Sequence, residues 1–283
     1  MAFDAHLYFP QWQGGPNHQV RRGGRFIYDI LAGLLPFHEI TTDASEGALA
    51  HDIKHYAPIL ANLQQCAGWL KAHNPRTVFM LGGDCSIDVA VVDHLSATHG
   101  KSLGVIWIDA HADIHEPKAS ETKNFHGMPL RLLLGEGDEA MLAALNSPLS
   151  HGQLCYGGIR SIDVPEQDYI NQHRLPVLSA ADINEGNYET FLKWREENAI
   201  KHLHIHLDLD ALDPEEHIAV TYHVPGGIRL AAMAQFLRFL HGQAMTVGFT
   251  FTEYAASEEK PEELDKIMKL MGNVLPLPSR WAA

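Results

Sequence analysis

The segment Val105-Ile106-Trp107-Ile108-Asp109-Ala110-His111-Ala112-Asp113 puts two carboxylates and an imidazole at alternate positions, directly after four apolar residues. The apolar run reads as a buried parallel strand. Period two places Asp109, His111 and Asp113 on one face if the strand continues, and clusters them if it breaks into a loop. A carboxylate desolvated at the end of such a strand needs a partner. A divalent cation suits two carboxylates and a neutral imidazole; a helix N-cap with a surface salt bridge is the plainer alternative.

A second run, His202-Leu203-His204-Ile205-His206-Leu207-Asp208-Leu209-Asp210-Ala211-Leu212-Asp213-Pro214, also alternates and ends in acids. Asp208 and Asp210 share a face, while Asp213 before proline belongs to a turn. Two parallel strands bringing Asp109, His111, Asp113, Asp208 and Asp210 to one edge supply more ligands than one metal uses. Two hard divalent ions bridged by shared carboxylates are the expected outcome, and such a pair activates water.

These two motifs, with Gly82-Gly83-Asp84-Cys85-Ser86 after the strand Thr77–Leu81, resemble the ureohydrolase family of arginases and agmatinases. The resemblance runs in order from about Thr77 to Glu253. It implies a binuclear hydrolase of guanidino or amidine carbon–nitrogen bonds. Asp109 and Asp208 would bridge the ions, Cys85 and Asp113 would complete one site, and His111 and Asp210 the other. Manganese is the ion the family implies. The family loop usually reads Gly-Gly-Asp-His-Ser, its histidine binding the more exposed metal, and here that position is Cys85. A thiolate favours zinc or iron over manganese, so zinc, iron, cobalt and nickel stay open. Cys85 is either an altered ligand or a small apolar thiol beside a weakened site.

The resemblance extends to smaller groups. His126 lies 17 residues after Asp109, framed by Asn124 and Gly127, and matches a proton-shuttling histidine; an ordinary pKa near 6.5 would suit that task. Glu253, at the end of the last strand, matches the glutamate that grips the guanidinium. Asp113 would also accept a hydrogen bond from the bridging hydroxide. Asp163 and Glu166, following Arg160, match acids that contact a substrate α-amino group, and they equally fit an N-cap and first-turn acid of a helix. His115 stands where the family has a carboxylate-binding asparagine, with Ser120, Thr122 and Asn124 nearby. Val220-Thr221-Tyr222-His223 replaces a Thr-Gly-Thr-Pro loop, so the pocket wall should differ.

Arginine or a modified arginine is therefore the foremost substrate. Agmatine, guanidino acids and formimino-glutamate are the alternatives within the family, and a non-catalytic metal- or ligand-binding relative is the alternative outside enzymes.

The remaining sequence must position these groups. Alternating strands and helices indicate one three-layer α/β domain over 1–283, with a mainly parallel sheet of about eight strands flanked by helices. Leu7–Phe9 closes a first strand, Gln13–Asn17 and Arg22-Gly23-Gly24 read as loops, and a helix is expected over Phe26–Leu35. Helices are also expected over Ile59–Ala72, Pro165–His173, Tyr188–Asn198, Leu230–Leu240 and Glu262–Leu275. A net charge of −14 disfavours nucleic acid and anionic membranes as partners. No apolar run reaches the roughly 20 residues of a membrane span, and the start lacks the basic region of a signal peptide. Cys66, Cys85 and Cys155 suggest no disulfide framework, which fits a reducing cytoplasm. The family resemblance implies homo-oligomers, trimers or hexamers.

Overall fold

Leu103–Ile108 is buried at every position, as a strand covered on both faces must be. It is one of eight strands among the described residues: β1 (Ala5–Phe9), β2 (Phe37–Glu39), β3 (Val78–Gly82), β4 (Leu103–Ile108), β5 (Leu154–Gly157), β6 (Val177–Leu178), β7 (His202–Asp208) and β8 (Met245–Thr252). They form a single sheet in the order β2-β1-β3-β8-β7-β4-β5-β6, every pairing parallel. The structure is a computed structural model describing residues 3–256, 258 and 260–282. Met1 and Ala2, part of the start from which no leader is expected, lie outside the described residues.

Parallel neighbours require crossovers, and helices supply most of them. These are α1 (Gln19–Leu31), α2 (Tyr56–His73), α3 (Asp88–His99), α4 (Pro129–Leu133), α5 (Glu139–Leu142), α6 (Val164–His173), α7 (Ala180–Glu185), α8 (Glu189–Glu197), α9 (Leu230–Gln243) and α10 (Pro261–Met271). Alternate strand residues fall into two cores. Phe79, Leu81, Ile106, Ile108, Leu207 and Phe251 pack under α1 and α7–α10. Leu7, Met80, Val105, Trp107 and Val247 pack under α2, α3, α4 and α6. Each such apolar side chain, fully buried, contributes roughly 1.5–3 kcal/mol. Cys66 and Cys155 are buried core thiols, as expected.

One expectation is corrected. The Arg22-Gly23-Gly24 segment is helical, and α1 begins at Gln19. Its glycines serve close packing instead of a turn: a Cβ on Gly23 would lie 1.9 Å from the Tyr254 carbonyl oxygen, and one on Gly24 would lie 3.0 Å from that of Gly82. The helix is thereby seated against the chain just after Glu253 and the loop before Cys85. Among the described residues no helix is long and apolar enough to cross a membrane.

Candidate metal centre and active site

Four adjacent strands, β3, β8, β7 and β4, end at one edge of the sheet. Their carboxyl ends lead into Cys85, Glu253, Asp208 with Asp210, and Asp109 with His111 and Asp113, respectively. Crevices of this kind are where open parallel sheets bind ligands. After β4 and β7 the chain turns sharply, and the strand-end carboxylates close the turns. Asp109 accepts from the His111 backbone N–H at 2.7 Å, and Asp208 accepts from that of Asp210 at 2.7 Å. Asp210 in turn accepts from the Ala110 N–H at 3.2 Å, tying the two motifs together.

Several sets of donors converge. Asp109, His111 and Asp210 each bring one ligand atom within 4.8 Å of the others, and so do Cys85, Asp208 and Glu253. His111 Nδ1 lies 3.0 Å from Asp210 Oδ2. The Cys85 thiol donates to Asp208 Oδ2 at 2.9 Å, and the Trp107 indole donates to Asp109 Oδ2 at 3.1 Å. Asp113 follows on the same loop as His111, and its buried Oδ2 has no hydrogen-bond partner among the described residues. Asp113 and Glu253 both adopt left-handed backbone, with φ of 51° and 63°. Such conformations cost about 1–3 kcal/mol each in residues other than glycine and concentrate at functional sites. Glu253 is held in place by its N–H, which donates to the Gly83 carbonyl at 2.8 Å.

The electrostatics follow from crowding. Burial, then the charges of Asp210 and Asp109, push the Asp208 carboxyl far above its ordinary range. Burial, with Asp109 next, does the same to Asp113 and brings Asp210 to about 6. Burial would raise Asp109 too, but the hydrogen bond and charge of His111 hold it at about 2. Burial would lower His111, yet its bonds to Asp109 and Asp210 carry it to about 12. Burial, then the surrounding carboxylates, keep Cys85 protonated as a thiol. Like charges gathered this closely are stabilised by protons or by cations.

Above these donors opens a cavity of about 190 Å³, lined by His111, Asp113, His115, Thr122, His126, Asp163, Glu166, Asp208, Asp210, Tyr222 and Glu253 among others. Cys85 and Asp109 are buried and are not among the lining residues. A larger cleft of about 930 Å³, near Trp12 and Arg21, contains none of these groups. His126 Nδ1 faces Glu253 Oε1 at 3.3 Å. Burial opposes a charge on His126, but Glu253 and then Asp84 outweigh it, so its pKa is raised above the ordinary value expected from sequence. Asp163 and Glu166 form the capping box of α6, the helix-terminus reading of these acids. They also reach the cavity rim, where His115 Nε2 lies 2.9 Å from Asp163 Oδ2. Asn124 is buried and does not line the cavity.

An Arginase family model matches residues 20–269. The chain belongs to the arginase family. The arginase of Staphylococcus aureus (strain COL) is 34% identical over 172 residues, covering 59% of this chain and 57% of that relative. The match thus spans little more than half the relative's length. The crystal structure of Entamoeba histolytica arginase in complex with L-ornithine has a TM-score of 0.86 at 22% identity, over 97% of this chain and 99% of that one. The agmatine ureohydrolase of Thermoplasma volcanium has a TM-score of 0.67 at 18% identity, over 95% and 87% of the two chains. Those two likenesses establish the arginase fold.

The donor set of this arginase-family chain fits divalent cations: buried carboxylates, one neutralisable imidazole and an orphaned Asp113 oxygen share one strand edge. Supporting residues that the motifs did not reveal are now visible. Gly14 donates its N–H to Asp84 at 2.9 Å and accepts from the His126 N–H at 2.9 Å, so a loop read as plain connects two parts of the site. Arg160 donates to the carbonyls of Asp210, Ala211, Leu212, Val224 and Pro225, clamping the Asp210 turn to the Tyr222 loop. His206 brings a ring nitrogen within 4.8 Å of Cys85 Sγ, and its Nδ1 is 2.9 Å from Asp88 Oδ2. His206 was visible in principle, two positions before Asp208 on the same strand face.

Proposed function

We propose that this chain hydrolyses a guanidino carbon–nitrogen bond, with arginine or a modified arginine as substrate. Water oxygen bonds to the guanidino carbon, the bond to the substituted nitrogen breaks, and that nitrogen leaves as an amine with an added proton. Asp109 and Asp208 would bridge two ions, with His111 and Asp210 completing one site and Cys85 and Asp113 the other. Held there, two divalent ions would supply the charge that makes water a nucleophile at neutral pH. Manganese is the first ion to test, with zinc, iron, cobalt and nickel admitted by Cys85.

The observation that carries this reading is the position of Glu253. It is a buried carboxylate lining the same cavity as Asp210 and His111, able to accept paired hydrogen bonds from a planar guanidinium. His126, charged more readily because Glu253 and Asp84 face it, holds the proton the leaving nitrogen needs. Asp113 accepts from the attacking water. At the rim Asp163 keeps an exposed carboxylate for an α-amino group, and His115 offers a donor for a carboxylate. Tyr222 also lines the cavity, its ring 5.4 Å from that of His111. Agmatine, guanidino acids and formimino-glutamate are the competing substrates. The chain is further proposed to work as a cytoplasmic homo-oligomer, a trimer or hexamer.

A second reading, a binding relative without turnover, draws on the thiol of Cys85 donating to Asp208. Urea or ammonia release separates the two, measured on arginine, N-hydroxyarginine, agmatine, guanidinobutyrate, guanidinopropionate and formimino-glutamate after loading with each ion. Turnover that vanishes in Asp210→Ala supports the hydrolase and names its substrate. Turnover only in Cys85→His favours the binding relative, and silence in every variant removes the guanidino reading.

A further inference from the structure

Strand β7 places His204, His206 and Asp208 on one face, because side chains alternate along a strand. Both imidazoles are fully buried. The His206 ring lies flat against the Trp107 indole, 3.4 Å between centroids and 2° from parallel, as its opposite number on β4. Its Nδ1 is 2.9 Å from Asp88 Oδ2, and His204 Nε2 is 2.8 Å from that same oxygen. The Thr250 hydroxyl donates to the other Asp88 oxygen at 2.6 Å. A carboxylate only accepts, so His206 donates from Nδ1, and in the neutral imidazole the lone pair is then on Nε2.

That Nε2 is buried and has no hydrogen-bond partner among the described residues. A ring nitrogen of His206 lies within 4.8 Å of both Cys85 Sγ and a carboxylate oxygen of Asp109, and the one not engaged by Asp88 is Nε2. An imidazole fixed through one nitrogen by a carboxylate, its other nitrogen bare and facing a thiol and an acid, is the arrangement of a metal-binding histidine and its supporting shell. Leaving a buried acceptor unpaired otherwise costs stability.

We propose that His206 is a metal ligand through Nε2, acting with Cys85 Sγ and Asp109. An imidazole donor is thus supplied from β7 where the loop after β3 carries sulfur. One sulfur, one nitrogen and carboxylate oxygen make a softer site than the Asp109–His111–Asp210 site. It prefers zinc or cobalt to manganese. Asp88 is its positioning residue. This assignment rests on the proposed metal centre.

The test is cobalt binding by the full chain after metal removal, read by absorbance and by competition with a chromophoric chelator. Two ions per chain and a near-ultraviolet sulfur-to-cobalt band are expected, the band being lost in Cys85→Ser. His206→Gln should weaken binding of the sulfur-ligated ion at least 100-fold, and Asp88→Asn about 10-fold. His204→Gln disturbs the same Asp88 network, but its free nitrogen faces Gly248, so affinity should be unchanged. If His206→Gln does not fold, X-ray absorption at the cobalt edge of the wild-type chain decides: two imidazoles and one sulfur per two cobalt ions are expected. One imidazole, or a His206→Gln spectrum and affinity equal to wild type, overturns the assignment while leaving the metal centre standing. A chain that binds no cobalt, zinc or manganese removes the metal centre itself.

Discussion

His126 Nδ1 and Glu253 Oε1 face each other at 3.3 Å across the cavity, one from the loop after β4 and the other from the end of β8. The pairing raises the pKa of His126 against its burial. Glu253→Gln keeps the shape and removes the charge. kcat/KM should fall about 10²–10³-fold, the scale of losing one partner of a buried charged hydrogen bond. The His126 pKa should fall as well, moving the alkaline limb of the pH profile to lower pH. A profile of unchanged position would deny that Glu253 sets the charge of His126.

Arg160 holds the Asp210 turn by donating to several carbonyls at once. Arg160→Met would leave buried acceptors unpaired and should cost about 2–4 kcal/mol in urea unfolding. Metal affinity should drop with it, since Asp210 loses its backing. Arg160→Lys should recover only part of both, because an ammonium cannot span the same fork of carbonyls.

The Tyr222 ring stands 6.1 Å from that of His126 and 5.4 Å from that of His111. A planar cation entering past it would meet the aromatic face, worth about 1 kcal/mol. Tyr222→Ala should raise KM roughly five- to tenfold with kcat little altered. A fall confined to kcat would place Tyr222 in the chemical step instead.

Away from the site, burial holds His217 neutral down to about 4, against the opposing pull of Glu263. Its folded pKa is thus depressed below the ordinary 6.5. The stabilisation from this group is present above pH 6.5 and is lost as pH falls through about 4, because the unfolded chain takes up the proton first. Between pH 7 and 4 the metal-free chain should lose about 3 kcal/mol that His217→Gln does not lose. Equal losses in both would show that His217 is not the responsible group.

The acids at strand ends were legible because carboxylates that follow a period-two apolar run so abruptly are costly to bury unless a cation or a cap meets them. Asp109, His111 and Asp210 converge at the sheet edge, with Asp208 bonded to the Asp210 backbone beside them. His206 shares a strand face with Asp208 but is easily passed over, since an imidazole inside an apolar run looks like filling and its partner Asp88 is 118 positions away. Gly23 and Gly24 misled for a related reason. Glycine marks a turn or a close approach, and only the far partner, the Tyr254 carbonyl, tells which. Asp163 and Glu166 cap a helix, as one of their two readings has it, and also line the cavity.

The most direct measurement is substrate turnover plotted against metal bound per chain, with bound metal counted by elemental analysis in the same samples. The expected result is negligible turnover without metal, rising to a plateau as two ions are bound. A plateau at one ion per chain, or two bound ions with no hydrolysis of any guanidino substrate, would contradict a binuclear hydrolase built on Asp109 and Asp208.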